Sequence, residues 1–346
     1  MSATHATKAK GLGELRREPY APGNGLPLFL YPTDARLADD RAFFQAWFTD
    51  NRAAIEDLTV EAGALVLRGF ALSDTSDFAR VAAHFPTLDT GYAGGATPRQ
   101  ALAEKVFEST RLPAAHKLPL HQEMSYLPTY PSKVVFFCHV PAETGGETTI
   151  GDMRKFTARV PADLWEQVKA RGVTYVRNYR DPAWSSGSDI LDAYHRPWTE
   201  ALSADTPAAA EARCAEMGFR FEWIDNGSIT LRFSNTGIIN HPVTGQELWF
   251  NQLHAQSFIK ESIGQERFGL YEKYYGPETP LPVNTTYGDG GRIDPAHIGA
   301  LHPILDELTV GFPWRKGDLM FLDNFNVAHG RNPFTGERDT QVALIA

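Results

Sequence analysis

Apolar positions in the first quarter of the chain recur at helical spacing. Phe43, Phe44, Trp47, Phe48, Ile55 and Leu58 share one face between Arg41 and Leu58, which predicts a helix laid on a core. The run Gly63–Phe70 (GALVLRGF) has no polar alternation and predicts a short strand covered on both faces. Ser73 or Asp74 can then cap a second helix carrying Phe78, Val81 and Phe85. Past Tyr92 the pattern becomes that of strands. Lys133–Val140 (KVVFFCHV), between Pro131 and Pro141, predicts another covered strand, and Gly145–Asp152 (GGETTIGD) one entered through a glycine turn. A helix is expected from Pro161 to Arg171, with proline at its start and Gly172 just past its end.

Further on, Phe219–Trp223, Ser228–Phe233 and Glu247–Asn251 read as antiparallel strands joined by turns such as Asp225-Asn226-Gly227. Asp294-Pro295 opens a helical stretch that Pro303 is expected to break. The chain closes on two strands, Asp318–Asp323 (DLMFLD) and Thr340–Ala346 (TQVALIA). Helices in front and scattered antiparallel strands behind predict an α+β fold whose strands close as a jelly roll. Residues 26–346 are expected to form a single domain, preceded by a flexible tail over 1–25, rich in Gly, Pro and charge. The stretch 178–219 is polar and turn-rich, and is expected to form a lid-like insertion over a site.

Composition narrows the classes of partner. Hydrophobic residues make up 42% and charged residues 22%, ordinary for a protein with a real core. The net charge of -9 comes without a Lys/Arg cluster, which argues against nucleic acid or an anionic membrane surface as partner. Cys138 and Cys214 are too few for a disulfide framework or a thiolate metal cage. With no apolar leader and no membrane-length apolar run, the expected location is cytoplasmic.

Candidate chemistry begins at His121-Gln122-Glu123. In a strand-turn segment residues i and i+2 point the same way, so His-x-Glu can offer two neighbouring metal ligands. Two histidines and one carboxylate on one face of an octahedron leave positions open for oxygen and a chelating co-substrate. With 11 histidines and 42 acidic residues, roughly one His-x-Asp/Glu is expected by chance, and one is present. Context carries the weight. His329 is placed in a turn between the last two strands and can supply the third ligand, with His241 and His254 as rivals for that role. Arg338, nine residues beyond His329, offers a planar fork for a carboxylate, and Thr148 a further hydrogen bond; Arg331 is the rival anchor.

The stretches LVLRGF, YAGGATPR, LPLHQEMSYLPTYPSKVVFFCHVPAETGGETTIGDMRKF, HPVTGQELWFNQ and WRKGDLMFLDNFNVAHGRNPFTGER give the chain its identity at family level. It resembles the taurine dioxygenase/clavaminate synthase superfamily of Fe(II)/2-oxoglutarate oxygenases, nearest the syringomycin-biosynthesis type amino-acid hydroxylases. The resemblance implies a distorted double-stranded β-helix, cupin-like, with flanking helices. It implies Fe(II) held by His121, Glu123 and His329, and 2-oxoglutarate held at its distal carboxylate by Thr148 and Arg338. It further implies O2 as second co-substrate, succinate and CO2 as co-products, and hydroxylation of an unactivated C–H bond. Related halogenases lack the carboxylate ligand, so Glu123 favours hydroxylation over halogenation, while desaturation, epoxidation and cyclisation stay open. The expected substrate is a small molecule, an amino acid or a natural product derived from one, free or tethered to a carrier protein. Tyr92, Arg99, Tyr126 and Asn251 are the substrate-pocket candidates by position, and a homodimer is the default assembly. A metal-binding jelly roll without turnover is the alternative of another class.

Overall fold

A computed structural model describes residues 12, 15–20, 25–88, 101–103, 105–109 and 113–346. Among these the largest sheet has eight strands. Their order is Leu15–Pro19, Leu28–Pro32, Ala64–Leu67, Leu319–Asp323, Lys133–Val140, Asp339–Ile345, Val106–Glu108 and Ala101–Ala103. Leu28–Pro32 and Ala64–Leu67 run parallel, which requires a crossover, and the helix Arg41–Ala62 supplies it.

The unbroken apolar runs in this sheet follow from burial on both faces. Ala64 and Val66, Val134, Phe136 and Cys138, Met320 and Leu322, and Val342 and Leu344 belong to one cluster. Their alternates Leu65, Leu67, Val135, Phe137, Leu319, Phe321, Ala343 and Ile345 belong to another, with Phe44, Phe48, Ile55, Phe78 and Val81 of the two N-terminal helices. A period of two thus divides each strand between two cores, and each fully buried side chain contributes about 1.5–3 kcal/mol.

The inner core is shared with a three-stranded sheet, Leu118–His121, Val327–Arg331 and Thr148–Asp152, through Leu120, Ile150, Val327 and Ala328. Beside it lies a four-stranded sheet of Arg220–Trp223, Ile229–Asn235, Val173–Tyr179 and Val283–Tyr287. Capping follows the expected chemistry. Asp74 accepts from the Asp77 amide at 3.0 Å, and Gly172 ends the helix Ala162–Arg171 at a φ of 69° that favours glycine.

Several expectations need correction. Part of the predicted tail is structured: Leu12 and Leu15 are buried, and Leu15–Pro19 pairs with Leu28–Pro32. The helical stretch opened by Asp294-Pro295 is interrupted as expected, but at Ala300 rather than at Pro303 itself. Pro303 has no N–H for the Gly299 carbonyl four residues back, so Pro295–Gly299 ends there and Pro303 sits in the first turn of Leu301–Leu308. His329 lies within the strand Val327–Arg331, not in a turn. The 178–219 stretch is not irregular throughout. It carries the helices Asp189–Tyr194, Trp198–Ala201 and Pro207–Glu216, whose Trp198, Leu202, Ala210 and Cys214 pack on Ile229 and Leu231 of the four-stranded sheet.

Candidate active site

The three-stranded sheet brings the proposed ligands together by register. His121, the last residue of Leu118–His121, stands opposite His329 in the antiparallel neighbour, so both rings project from one face at 4.5 Å between centroids. The chain then turns, and Glu123, two residues on, returns to that face with a carboxylate oxygen 3.4 Å from His329 Nε2. One donor atom from each of the three residues lies within 4.8 Å of the others. Close approach of the strands depends on Gly330, where a Cβ would stand 2.4 Å from the Leu118 carbonyl oxygen.

These residues fit a divalent metal of the borderline or hard kind. Ligands about 2.1 Å from one ion and at right angles stand about 3 Å apart, close to the His329–Glu123 separation. His121 Nδ1 lies 2.9 Å from the Pro119 carbonyl, so Nδ1–H donates there and Nε2 is presented as an acceptor. The Glu123 backbone is clamped from both sides. Its amide donates to Asn324 Oδ1 at 2.7 Å, while Asn324 Nδ2 donates to the Glu123 carbonyl at 3.0 Å and to that of Pro131 at 2.8 Å. Gln122, between the ligands, donates to the Phe325 carbonyl and accepts from Gln252.

A narrow cavity opens beside His329, lined by Leu118, Thr148, Arg331, Phe136, Ser109 and Arg338. Period two places Arg331 on the His329 face, and Thr148 is its cross-strand partner. Arg338, just before the strand Asp339–Ile345, reaches in from the side. Its Nε donates to the Gly146 carbonyl at 2.9 Å and an Nη to Ser109 at 3.3 Å. Among the described residues no carboxylate pairs with Arg338. Burial, and next the charge of Arg331, push its pKa down to about 10; burial also lowers that of Arg331. Two guanidiniums in one partly dry cavity attract an anion.

The rival histidines are occupied elsewhere. His241 Nε2 meets Asp323 at 3.1 Å, and its Nδ1 accepts from the amides of Val243 and Thr244. His254 Nε2–H donates to the Leu120 carbonyl at 2.6 Å, and burial lowers its pKa to about 4, leaving a neutral ring that braces the ligand strand. Asn251 is fully buried and bonded to the backbone of Gly237 and Leu253, which makes it a brace rather than a pocket wall. Tyr126 lines a separate recess with Tyr175, Arg177, Phe219, Leu231 and Phe233. Tyr92 and Arg99 lie outside the described residues. Cys138 and Cys214 are buried thiols, pushed up to about 12 and about 11 first by burial, as expected of inert packing residues. Asn324 and Gln252 belong to no motif of the sequence that marks a ligand or a pocket residue. The cluster Asp323-Asn324-Phe325-Asn326, polar but for Phe325 and directly following the apolar run Leu319–Leu322, is the available signal, and it is wholly buried.

Residues 34–344 match the family described as taurine catabolism dioxygenase TauD, TfdA family. The chain belongs to this family. As a TauD/TfdA-family enzyme it is a 2-oxoglutarate-dependent dioxygenase that uses Fe(II) and O2. It is 28% identical over 291 residues to the dapdiamide synthesis protein DdaC of Enterobacter agglomerans, with 84% of each chain covered. It is 27% identical over 294 residues to a clavaminate synthase-like protein of Arabidopsis thaliana, covering 84% of this chain and 83% of that one. Among solved structures, PvcB of Pseudomonas aeruginosa shares the fold at a TM-score of 0.52 and 17% identity, over 100% of this chain and 94% of the other. AAD-2, in complex with Mn(II) and N-oxalylglycine, shares it at 0.50 and 14%, over 96% and 97%. Among the described residues no helix is long and apolar enough to cross a membrane.

Proposed function

We propose that this family member hydroxylates an unactivated C–H bond of an amino acid or an amino-acid-derived natural product, releasing succinate and CO2. The observation that carries the reading is the clustering of His121, Glu123 and His329 at the edge of a cavity that also contains Thr148, Arg331 and Arg338. His121, Glu123 and His329 would hold the iron, and the eight- and three-stranded sheets are read as the halves of a double-stranded β-helix around it. Bound there, the metal supplies oxygen activation coupled to oxidative decarboxylation of 2-oxoglutarate.

The chain's own residues do the rest. Arg338 and Thr148 would hold the distal carboxylate of 2-oxoglutarate; Trp314 Nε1 donates to Thr148 Oγ1 at 3.2 Å and orients that hydroxyl. Arg331 adds positive charge to the same cavity. Phe136, edge-on to His329 at 5.1 Å, excludes water from one side of the ligand ring. The carboxylate ligand Glu123 supports oxygen insertion over halide transfer, and likeness to a protein of dapdiamide synthesis supports a natural-product substrate. Such a substrate arrives free or tethered to a carrier protein, and the 178–219 insertion would cover it. Assembly as a homodimer remains the default.

Anaerobic protein with iron(II) and 2-oxoglutarate should develop a weak visible charge-transfer band, then form succinate on admission of oxygen. With substrate, product mass should rise by one oxygen atom; loss of two hydrogens instead would show desaturation. Absence of both band and succinate, with His121→Ala retaining the wild-type iron content, would refute the oxygenase site.

A further inference from the structure

We propose that the recess on the four-stranded sheet binds a carboxylate of the substrate, with Arg177 as its anchor. The proposal rests on the oxygenase reading above and goes beyond it by naming where a part of the substrate is held.

The recess is built by strand register. Tyr175 and Arg177 lie two apart on Val173–Tyr179 and so share a face; Phe233 stands opposite Tyr175 and Leu231 opposite Arg177 on the neighbouring strand. Phe219, at the end of the 178–219 insertion, meets Phe233 edge-on at 6.1 Å, and Tyr126 meets Tyr175 in the same way at 6.1 Å. Together they line a narrow recess open to solvent, mostly aromatic, with one guanidinium among them. Tyr126 comes from the turn that carries Glu123, which puts this recess next to the ligand-bearing loop.

The charge in it is not neutralised by the protein. Arg171, Arg213 and Arg232 pair with Asp289, Glu216 and Glu222. Arg177 has no carboxylate partner among the described residues; it donates to the neutral Gln256 Oε1 at 2.7 Å and lies 5.1 Å from the Tyr126 ring centroid. One amide acceptor leaves donors of the fork for a ligand. A half-buried guanidinium between aromatic faces binds a carboxylate more strongly than an exposed one, since the walls exclude competing water. A single fork without a second cation suits a carboxylate better than a phosphate.

The fork is also fixed relative to the chemistry. Gln256 Nε2 donates to Gln252 Oε1 at 2.6 Å, and Gln252 Nε2 donates to the carbonyl of Gln122 at 2.9 Å. Gln122 lies between His121 and Glu123. A chain of three amides therefore runs from Arg177 to the turn that bears the ligands, and sets the distance between a bound carboxylate and the reacting carbon.

The test is calorimetric binding of the common α-amino acids and their α-carboxamides to the full chain, with manganese(II) in place of iron and 2-oxoglutarate saturating. At least one amino acid should bind, and its carboxamide about 10-fold or more weakly. Arg177→Met should weaken the amino acid about 10- to 100-fold, Arg177→Lys less, with 2-oxoglutarate affinity unchanged. Gln256→Glu keeps the arginine but sets a competing carboxylate against it, and should weaken binding similarly. The Gln256→Glu result decides the matter if Arg177→Met lowers the melting temperature. The proposal is overturned if no amino acid binds, if the carboxamide binds as tightly, or if both substitutions leave affinity unchanged. Succinate formation by the wild-type protein with iron, measured in parallel, shows whether the oxygenase reading stands when this proposal fails.

Discussion

The cavity beside His329 and the recess around Arg177 solve different problems with similar materials. The first is cationic twice over, lies between two sheets, and its polar groups are set by cross-strand register, so that His121, His329, Arg331 and Thr148 share one face. The second holds one guanidinium among aromatic rings, and its walls come from a loop, a sheet and the end of an insertion. Register is the more rigid device, because a slip of one residue reverses every side chain. A recess walled by loop and insertion can change its lining without disturbing the strands of the proposed metal site. The difference suggests that the co-substrate half of the reaction is fixed by the fold, while the substrate half is set by the periphery.

The strongest way to break this division is to remove a proposed ligand. His329→Ala or Glu123→Ala should abolish iron retention and lower succinate formation by at least about 10³-fold, the several kcal/mol a metal supplies. Metal analysis and circular dichroism together check that the loss is of the ion and not of the fold. Iron retained in both variants would place the metal elsewhere.

Next in size, Trp198→Ala removes the largest side chain of the insertion's own cluster, where Trp198 lies edge-on to Trp223 at 5.4 Å. A cost of about 3 kcal/mol is expected, confined to that region. Hydrogen exchange should show lost protection in 178–231 while iron uptake persists. Simultaneous loss of protection in Leu118–His121 and Val327–Arg331 would show that the two regions unfold as one unit.

Arg338→Met tests the other side. It should raise the KM for 2-oxoglutarate about 100-fold, the loss of two charge-assisted hydrogen bonds, with iron content unchanged. Arg338→Lys should fall between. If Arg331→Met raises that KM more than Arg338→Met does, the anchor is the residue on the ligand strand instead.

What was legible in the sequence divides along the same line. Lys133–Val140 and Leu319–Asp323 were readable because both faces are buried and the apolar run is unbroken. The proposed site residues His121, Glu123, His329, Thr148 and Arg338 are marked in the sequence only together, through the motifs around them, since one His-x-Asp/Glu is what chance supplies. The strand character of His329 was hidden. Val327–Arg331 is a buried strand made of small and polar residues, so neither alternation nor an apolar run marks it. The strand in the tail is hidden for a similar reason: Leu15–Pro19 is charged on most positions and joins the sheet at an edge, where backbone pairing suffices. Arg177, Gln252 and Gln256 cannot be found from spacing, because the contacts that join them to Gln122 link a strand, a short helix and a turn distant in sequence.

The smallest effect expected sharpens the peripheral side of the comparison. His195 Nε2–H donates to Asn178 Oδ1 at 2.7 Å, and its Nδ1 accepts from the Tyr275 hydroxyl at 2.6 Å, tying the insertion to the four-stranded sheet. Burial, and then the charge of Arg180, lower its pKa from 6.5 to about 4. The folded ring is therefore neutral where the unfolded one is already protonated. Its contribution to stability is present above about pH 6.5 and is lost as pH falls toward 4, because the unfolded chain takes up the proton. Between about pH 7.5 and about pH 5.5 the loss should be about 1 kcal/mol from this residue, read as a shift in the denaturation midpoint. His195→Gln should remove up to about one proton from the pH slope while leaving iron binding as it is. An unchanged slope would mean that His195 opens to solvent, and that the insertion is held to the sheet by its apolar cluster alone.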